Sequence, residues 1–340
     1  MASSAEVAAM SRALELAQSP DVPRGPNPRV GCVLLDAEGR TIAEGIHRGA
    51  GTAHAEVDAL RRAGDRARGA TAVVTLEPCT HTGRTGPCAQ ALIERGVTRV
   101  VFAQADPNPV AAGGARMLAE AGVDVASGVL ADEARAVNRA WSFAVEKGRP
   151  HVTWKLATTL DGRSAAADGS SRWITSPAAR ADVHRLRASC DVVLVGTGTV
   201  LADDPELTVR DGNGRSLPQQ PLRAVMGRRS LSRSLRVFDD AAETVVLAVR
   251  DPVEALRELF RRDRQHVLLE GGPTLAAAFL RLGLVDEIVA FLAPALLGAG
   301  APAVGDLAIT TIADIVRFDV RDVTRIGTGR DTCIRITMEV

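Results

Sequence analysis

Apolar residues recur along the chain in two alternating rhythms. Short, continuous runs rich in β-branched residues, VGCVLLD (30–36), TAVVTL (71–76) and TRVVFAQ (98–104), read as buried strands. Around 53–63, 88–95 and 113–121 the apolar positions fall three and four apart, as on one face of a helix. The alternation predicts an α/β fold. A helical pattern over 131–146 then ends at KGRP, where Gly148 suits a cap and Pro150 prevents continuation. The domain boundary is placed there, giving units 1–148 and 149–340. The second half opens on HVTWKLA and continues with DVVLVG, RAVMG, TVVLAV, HVLLEGG and DEIVAFLAP between helix-like segments. It is a second α/β unit whose last fifty residues look strand-rich. DGNGRSLPQQP is its most loop-like segment, and no internal repeat or low-complexity tract interrupts the pattern.

Length agrees with two units: 340 residues against a prior of about 150 per domain. Charge narrows the partners. Forty-one basic and forty-one acidic side chains leave no net field for a nucleic acid or a membrane surface, so small-molecule chemistry gains weight. The opening MASSAEVAAMSRALELAQ mixes apolar and charged residues at helical spacing, unlike a signal peptide, and no run is long enough to span a bilayer. A cytoplasmic protein is expected. Five cysteines, an odd number spread over a long chain, suggest metal ligation or burial rather than a disulfide framework.

Two of those cysteines stand with a histidine in LEPCTHTGRTGPC (76–88), a crowded strand-to-helix loop of the kind that carries chemistry. Upstream, GTAHAEVDALRR places His54 and Glu56 at the start of an amphipathic helix with Val57 and Leu60 turned inward. Histidine with two cysteine thiolates is a zinc-deaminase ligand set, and a glutamate two residues after the histidine shuttles protons there without touching the metal. Two thiolates balance the dication, and water in the fourth position becomes acidic enough to act near neutral pH. Pro78 and Pro87 suggest that each cysteine begins a helical turn, which would favour its thiolate. The spacing from Cys79 to Cys88 is longer than the usual Cys-x-x-Cys. A closed structural zinc with His81 as fourth ligand remains an alternative, as do buried thiols without metal.

In the second half the residues alone say less. Gly271 and Gly272 follow a strand and open the helix LAAAFLRLG, which suits a dinucleotide phosphate and equally a plain tight turn. VGTGTVLADDPELTVR is a second glycine-bearing turn after a strand. Neither is a Gly-x-Gly-x-x-Gly fingerprint.

PCTHTGRTGPC with HAEVDAL, and NPRVGCVL and GIHRGAGTAHAE before them, resemble the zinc motif of the bifunctional riboflavin-biosynthesis deaminase/reductase family. KLATTLDGRSAAADGSSRWITS, HRLRASCDVVLVGTGTVLADDPELTVR and LEGGPTLAAAFL resemble its reductase half. Gly86 stands where the family usually has proline, and Thr159 where many members have serine. The resemblance spans about residues 4 to 300. It implies a cytidine-deaminase-like three-layer domain followed by a dihydrofolate-reductase-like α/β domain. It also implies zinc-dependent deamination of a phosphoribosylaminopyrimidine, then NADPH-dependent reduction of its ribosyl group to ribityl. By matching position, His54, Cys79 and Cys88 bind zinc and Glu56 shuttles protons. Asn27, His47, His81, Arg84, Asp106 and Asn108 line the deaminase substrate pocket. In the reductase half, Thr158, Trp173, Thr199, Asp203 and the turn Gly272, Pro273, Thr274, Leu275, Ala276, Ala277 and Ala278 contact NADPH. Lys155, Ser171, Arg187, Leu207, Arg210 and Glu270 surround the substrate, with Lys155 positioning the ribose or supplying a proton.

Three rivals stay open on the sequence: a paralogue acting on another purine- or pyrimidine-derived intermediate, a nucleic-acid base deaminase, and a structural zinc protein. The neutral charge argues against the second. Oligomeric state, a homo-oligomer included, is not legible.

Overall fold

The computed structural model describes residues 2–81 and 86–340, and the chain divides into two compact units, 1–148 and 149–340. In the first unit the elements follow as α1 (Ser4–Ala17), β1 (Gly31–Leu35), β2 (Thr41–Ile46), α2 (Ala55–Ala63), β3 (Thr71–Leu76), α3 (Cys88–Glu94), β4 (Arg99–Gln104), α4 (Gly114–Glu120), β5 (Asp124–Ser127), α5 (Ala131–Val137) and α6 (Arg139–Lys147). The sheet order is β2-β1-β3-β4-β5, with β1 antiparallel to both neighbours and β3, β4 and β5 parallel.

Both faces of this sheet are covered, which is why its strands read as continuous apolar runs. Cys32, Leu34, Ala72, Val74 and Val100 face α2, α3 and α4 through Ala59, Leu60, Leu92 and Leu118. Their neighbours Val33, Leu35, Val73 and Val101 point the other way, onto Met10, Ala13 and Leu14 of α1 and Ala134 of α5. The result is a three-layer α/β/α unit.

The single helix expected over 131–146 is two helices. At Asn138 the backbone leaves the helical region, with φ −110° and ψ 17°. Its buried amide faces Arg29 instead, accepting from the Arg29 N–H at 2.8 Å and donating to the Arg29 carbonyl at 2.9 Å. A tertiary bond pair has replaced local helix continuity. Strands β2 and β5 have no counterpart among the expected runs. β2 is TIAEGI, interrupted by a charge at a half-buried position, and β5 is a four-residue edge strand.

The second unit contains β6 (His151–Thr159), α7 (Pro177–Ser189), β7 (Val192–Gly196), α8 (Thr197–Asp203), β8 (Leu222–Met226), β9 (Thr244–Leu247), α9 (Pro252–Arg261), β10 (His266–Leu269), α10 (Pro273–Arg281), β11 (Glu287–Ala293), β12 (Asp319–Ile326) and β13 (Cys333–Glu339). Its sheet runs β12-β13-β11-β6-β10-β7-β8-β9. The six strands from β11 to β9 are parallel, while β13 is antiparallel to β11 and β12. The chain forms β7, β8 and β9 first and then inserts β10 between β6 and β7. The C-terminal ends of β6, β10 and β7 thereby become neighbours, although they lie far apart in sequence. Strand structure in the last fifty residues is confined to the end of β11 and the β12–β13 pair, so the strand-rich expectation holds only in part.

Candidate active sites

In the first unit three soft ligands meet. His54 caps α2, whose first turn lies directly on β2: a Cβ on Gly45 would come within 2.1 Å of the Ala55 carbonyl oxygen, an approach only glycine allows. Cys88 opens α3 and is buried. Cys79 does not begin a helical turn as expected. It lies in the irregular stretch after β3, where Thr80 is tied by its N–H to the Ala111 carbonyl (3.0 Å) and by its hydroxyl to that of Ala112 (2.9 Å). His54 Nδ1 lies 3.2 Å from Cys88 Sγ and 3.6 Å from Cys79 Sγ, and the three ligand atoms fall within 4.8 Å of one another. Tetrahedral zinc with bonds of about 2.0–2.3 Å holds such atoms roughly 3.5–3.8 Å apart, so the donor set and its spacing fit that ion.

The electrostatics match a thiolate centre. A hydrogen bond from Cys88, reinforced by His54 and the Cys88 N–H, holds the Cys79 thiol far below its ordinary value, at about 4. The shared proton, burial and the nearby Glu56 charge push Cys88 up. Glu56 is 4% exposed, and burial, with Cys79 adding repulsion, raises its carboxyl to about 7.

Around this cluster stand most of the expected substrate residues. His47 is buried, with its ring edge-on to that of His54 and the centroids 5.1 Å apart. Its Nδ1 bonds the Ala53 carbonyl at 3.1 Å, so Nδ1 carries the proton and Nε2 accepts from Asn27 Nδ2 at 2.8 Å. Burial lowers its tendency to charge. His81 Nδ1 is buried without a hydrogen-bond partner among the described residues. Asp106 and Asn108 share a turn, Asp106 Oδ1 accepting from the Asn108 N–H at 2.8 Å. Burial, then the charges of Glu77 and Cys79, raise Asp106 to about 6. Arg84 lies outside the described residues. Sequence reading passed over Glu77, whose carboxylate accepts from three main-chain N–H groups. A charged residue closing an apolar run was the available signal.

In the second unit, strand register brings the residues together. Leu269 pairs with Trp154, so Glu270 and Lys155 stand level on adjacent strands. Glu270 also donates its N–H to Leu194 of β7 at 2.9 Å. From α7, Arg187 reaches Glu270 with a fork, Nε to Oε1 at 2.5 Å and Nη2 to Oε2 at 3.0 Å, and bonds the Thr208 carbonyl at 3.0 Å. Burial and Arg187 lower Lys155, with Glu270 opposing. Arg210 is not free: its guanidinium pairs with Glu206, which also pairs with Arg236, and its Nε bonds Thr208 Oγ1 at 3.1 Å. Leu207, between them, is buried with φ +55°.

Trp173 is 68% exposed, with the Arg180 guanidinium 4.4 Å from its ring centroid. The Arg172 side chain bonds the Asp203 carbonyl, drawing the segment that carries the half-buried Ser171 towards the end of α8. Thr158 is buried at the C-terminal end of β6, and Thr199 is half-buried in α8. Gly272 caps α10, followed by Pro273 and Thr274, and a Cβ there would meet nothing within 4 Å. Backbone can thus approach a ligand at this turn, at the ends of parallel strands, where a dinucleotide phosphate fits. Leu275 and Ala278 are half-buried, whereas Ala276 and Ala277 turn into the core, so any contact from this segment concentrates in its first turn.

These features define a chain that joins a zinc-dependent deaminase unit to an NADPH-dependent reductase unit. Residues 3–104 match the cytidine and deoxycytidylate deaminase zinc-binding region, and residues 150–330 the RibD C-terminal domain. The chain is 53% identical over 303 residues to the riboflavin biosynthesis protein RibD of Mycobacterium tuberculosis, covering 89% of each chain. It superposes on Acinetobacter baumannii RibD with a TM-score of 0.88, at 38% identity and 98% coverage of both chains. It superposes on the diaminohydroxyphosphoribosylaminopyrimidine deaminase/5-amino-6-(5-phosphoribosylamino)uracil reductase of Thermotoga maritima with a TM-score of 0.86, at 35% identity and again 98% of both chains. The chain belongs to the RibD family of riboflavin-biosynthesis enzymes. No described helix is long and apolar enough to cross a membrane.

Proposed function

We propose that residues 1–148 hydrolytically deaminate a diaminopyrimidinone ribonucleotide phosphate and that residues 149–340 reduce the ribosyl group of the product to a ribityl chain. The reading rests above all on the convergence of His54, Cys79 and Cys88 beside buried Glu56. The deaminase and reductase named in the Thermotoga relative support the substrate class.

Zinc would be held by His54 Nδ1, Cys79 Sγ and Cys88 Sγ, and supplies Lewis-acid activation of the water that replaces the ring amine. Glu56 takes one proton from the attacking water and delivers it to the ring nitrogen, then takes the proton left on the added hydroxyl and passes it to the amino group, which leaves as ammonia as the carbonyl forms. Its burial keeps bulk water from competing for these protons. Asn27 and His47 form a preset donor and acceptor wall, and His81, Arg84, Asp106 and Asn108 complete the pyrimidine and ribose-phosphate pocket.

NADPH supplies hydride to the second reaction, held by Thr158, Trp173, Thr199, Asp203 and the 272–278 turn. The substrate ribose opens as its ring oxygen takes a proton, the anomeric carbon becoming a protonated imine that is neutralised on receiving the hydride. Lys155, made more acidic by burial, donates to that oxygen. The Arg187 and Glu270 pair fixes the ribose, Ser171 and Leu207 line the pocket, and Arg210 exchanges Glu206 for the phosphate. Incubating the zinc-loaded protein with the nucleotide, with and without NADPH, and weighing the products tests both steps. The deaminated mass should appear without NADPH, and two further hydrogens only with it. No change of mass in either incubation would overturn the reading.

A further inference from the structure

Glu77 closes the apolar run of β3 and is only 8% exposed. Among the described residues its carboxylate meets main-chain donors. Oε2 accepts from Asp106 at 3.2 Å, and Oε1 from Gly113 at 3.2 Å and Ala115 at 3.0 Å. These amides belong to the segment that carries Asp106 and Asn108, while Glu77 itself stands two residues before the ligand Cys79. The two segments touch elsewhere as well. A Cβ on Gly114 would lie 1.7 Å from the Pro78 carbonyl oxygen, so the start of α4 rests on the ligand loop. Thr80, next to Cys79, bonds the carbonyls of Ala111 and Ala112.

We infer that Glu77 is a positioning residue for deamination, its carboxylate setting Asp106 at a fixed distance from the zinc ligands. The inference rests on the proposed role of Asp106 in holding substrate. All three partners are donors, so both oxygens must accept, which a carboxylate does and an amide cannot. A glutamine that keeps its oxygen on Gly113 and Ala115 would turn its NH₂ towards the Asp106 N–H. Glu77→Gln should therefore release Asp106 while α4 stays anchored.

The test uses full-length Glu77→Gln, Asp106→Ala and the double variant, with deamination kinetics, zinc content and NADPH-dependent reduction of the deaminated nucleotide. Loss of one such bond corresponds to about a tenfold rise in the deamination KM of Glu77→Gln, with kcat within about threefold of the parent. Zinc should stay at one per chain and reduction should be unchanged. The double variant should have a KM no higher than that of Asp106→Ala, because Glu77 acts through Asp106. Glu77→Asp, which keeps two acceptors on a shorter arm, should fall between parent and Glu77→Gln. A normal KM in Glu77→Gln beside a raised one in Asp106→Ala overturns the positioning role alone. Zinc loss, or additive effects in the double variant, also overturns it, leaving Glu77 as a support for Cys79. A normal KM in Asp106→Ala overturns the role of Asp106 and, with it, the coupling.

Discussion

The two sites are assembled in opposite ways. The zinc cluster draws His54, Cys79 and Cys88 from one α-β-α stretch of the first unit, α2 to α3, and their ligand atoms lie within 4.8 Å of one another. Its donors, one imidazole and two cysteine sulfurs, suit a single soft cation. In the second unit Lys155, Arg187, Arg210 and Glu270, the proposed substrate residues, come from separate elements, and Arg187 and Arg210 already pair with carboxylates of the chain. A preset donor cluster binds its ion with little rearrangement, whereas a site of paired charges must exchange partners when an anionic substrate arrives. Substitutions in the first should therefore act through metal and proton transfer, and those in the second through substrate affinity.

The largest effect should come from removing a ligand. Cys79→Ser should lower zinc well below one per chain and deamination by on the order of a thousandfold or more, while reduction of the deaminated nucleotide continues. Metal analysis beside both assays checks it. A full zinc complement with normal deamination would show that the ligand set is wrong.

Glu56→Gln separates proton transfer from metal binding. Zinc should remain, and deamination should fall by about a hundredfold to ten-thousandfold, since a carboxamide cannot shuttle protons. Reduction should persist. Loss of both activities in a folded protein would erase the distinction between independent sites.

Arg210→Ala should raise the reductase KM for the phosphorylated substrate by about tenfold to a hundredfold, the worth of a charge-assisted bond, with a smaller change in kcat. Comparing the nucleotide with its dephosphorylated nucleoside is decisive: if the preference for phosphate survives, the contact belongs elsewhere. The smallest effect runs the other way. Glu206→Gln removes the carboxylate that Arg210 must give up, so the same KM should fall by about threefold. A rise would mean that Glu206 orients Arg210 rather than competing for it.

Much of the first site was legible because its chemistry is local. His-x-Glu at a helix start and two cysteines in a strand-to-helix loop carry their meaning in residue type and spacing. The strands β3, β4 and β7 were equally plain, since burial on both faces leaves continuous β-branched runs. The break at Asn138 was not, because the bond partner that stops the helix is Arg29, far away in sequence. Trp173 and Arg187 show the same limit: nothing in their residue types or spacing foretells that the ring stands exposed and that the guanidinium is locked on Glu270.

By itself, then, the amino-acid order determined the α/β rhythm and the identity of the zinc chemistry, both of which are carried by residue types and spacings close together in the chain. Tertiary structure alone decided that β10 enters between β6 and β7, bringing Glu270 level with Lys155 and within reach of Arg187. It alone turned Glu77 towards main-chain amides 29 to 38 residues on. Such contacts are selected by the packing of whole elements, and packing at that range leaves no period or spacing in the chain to read.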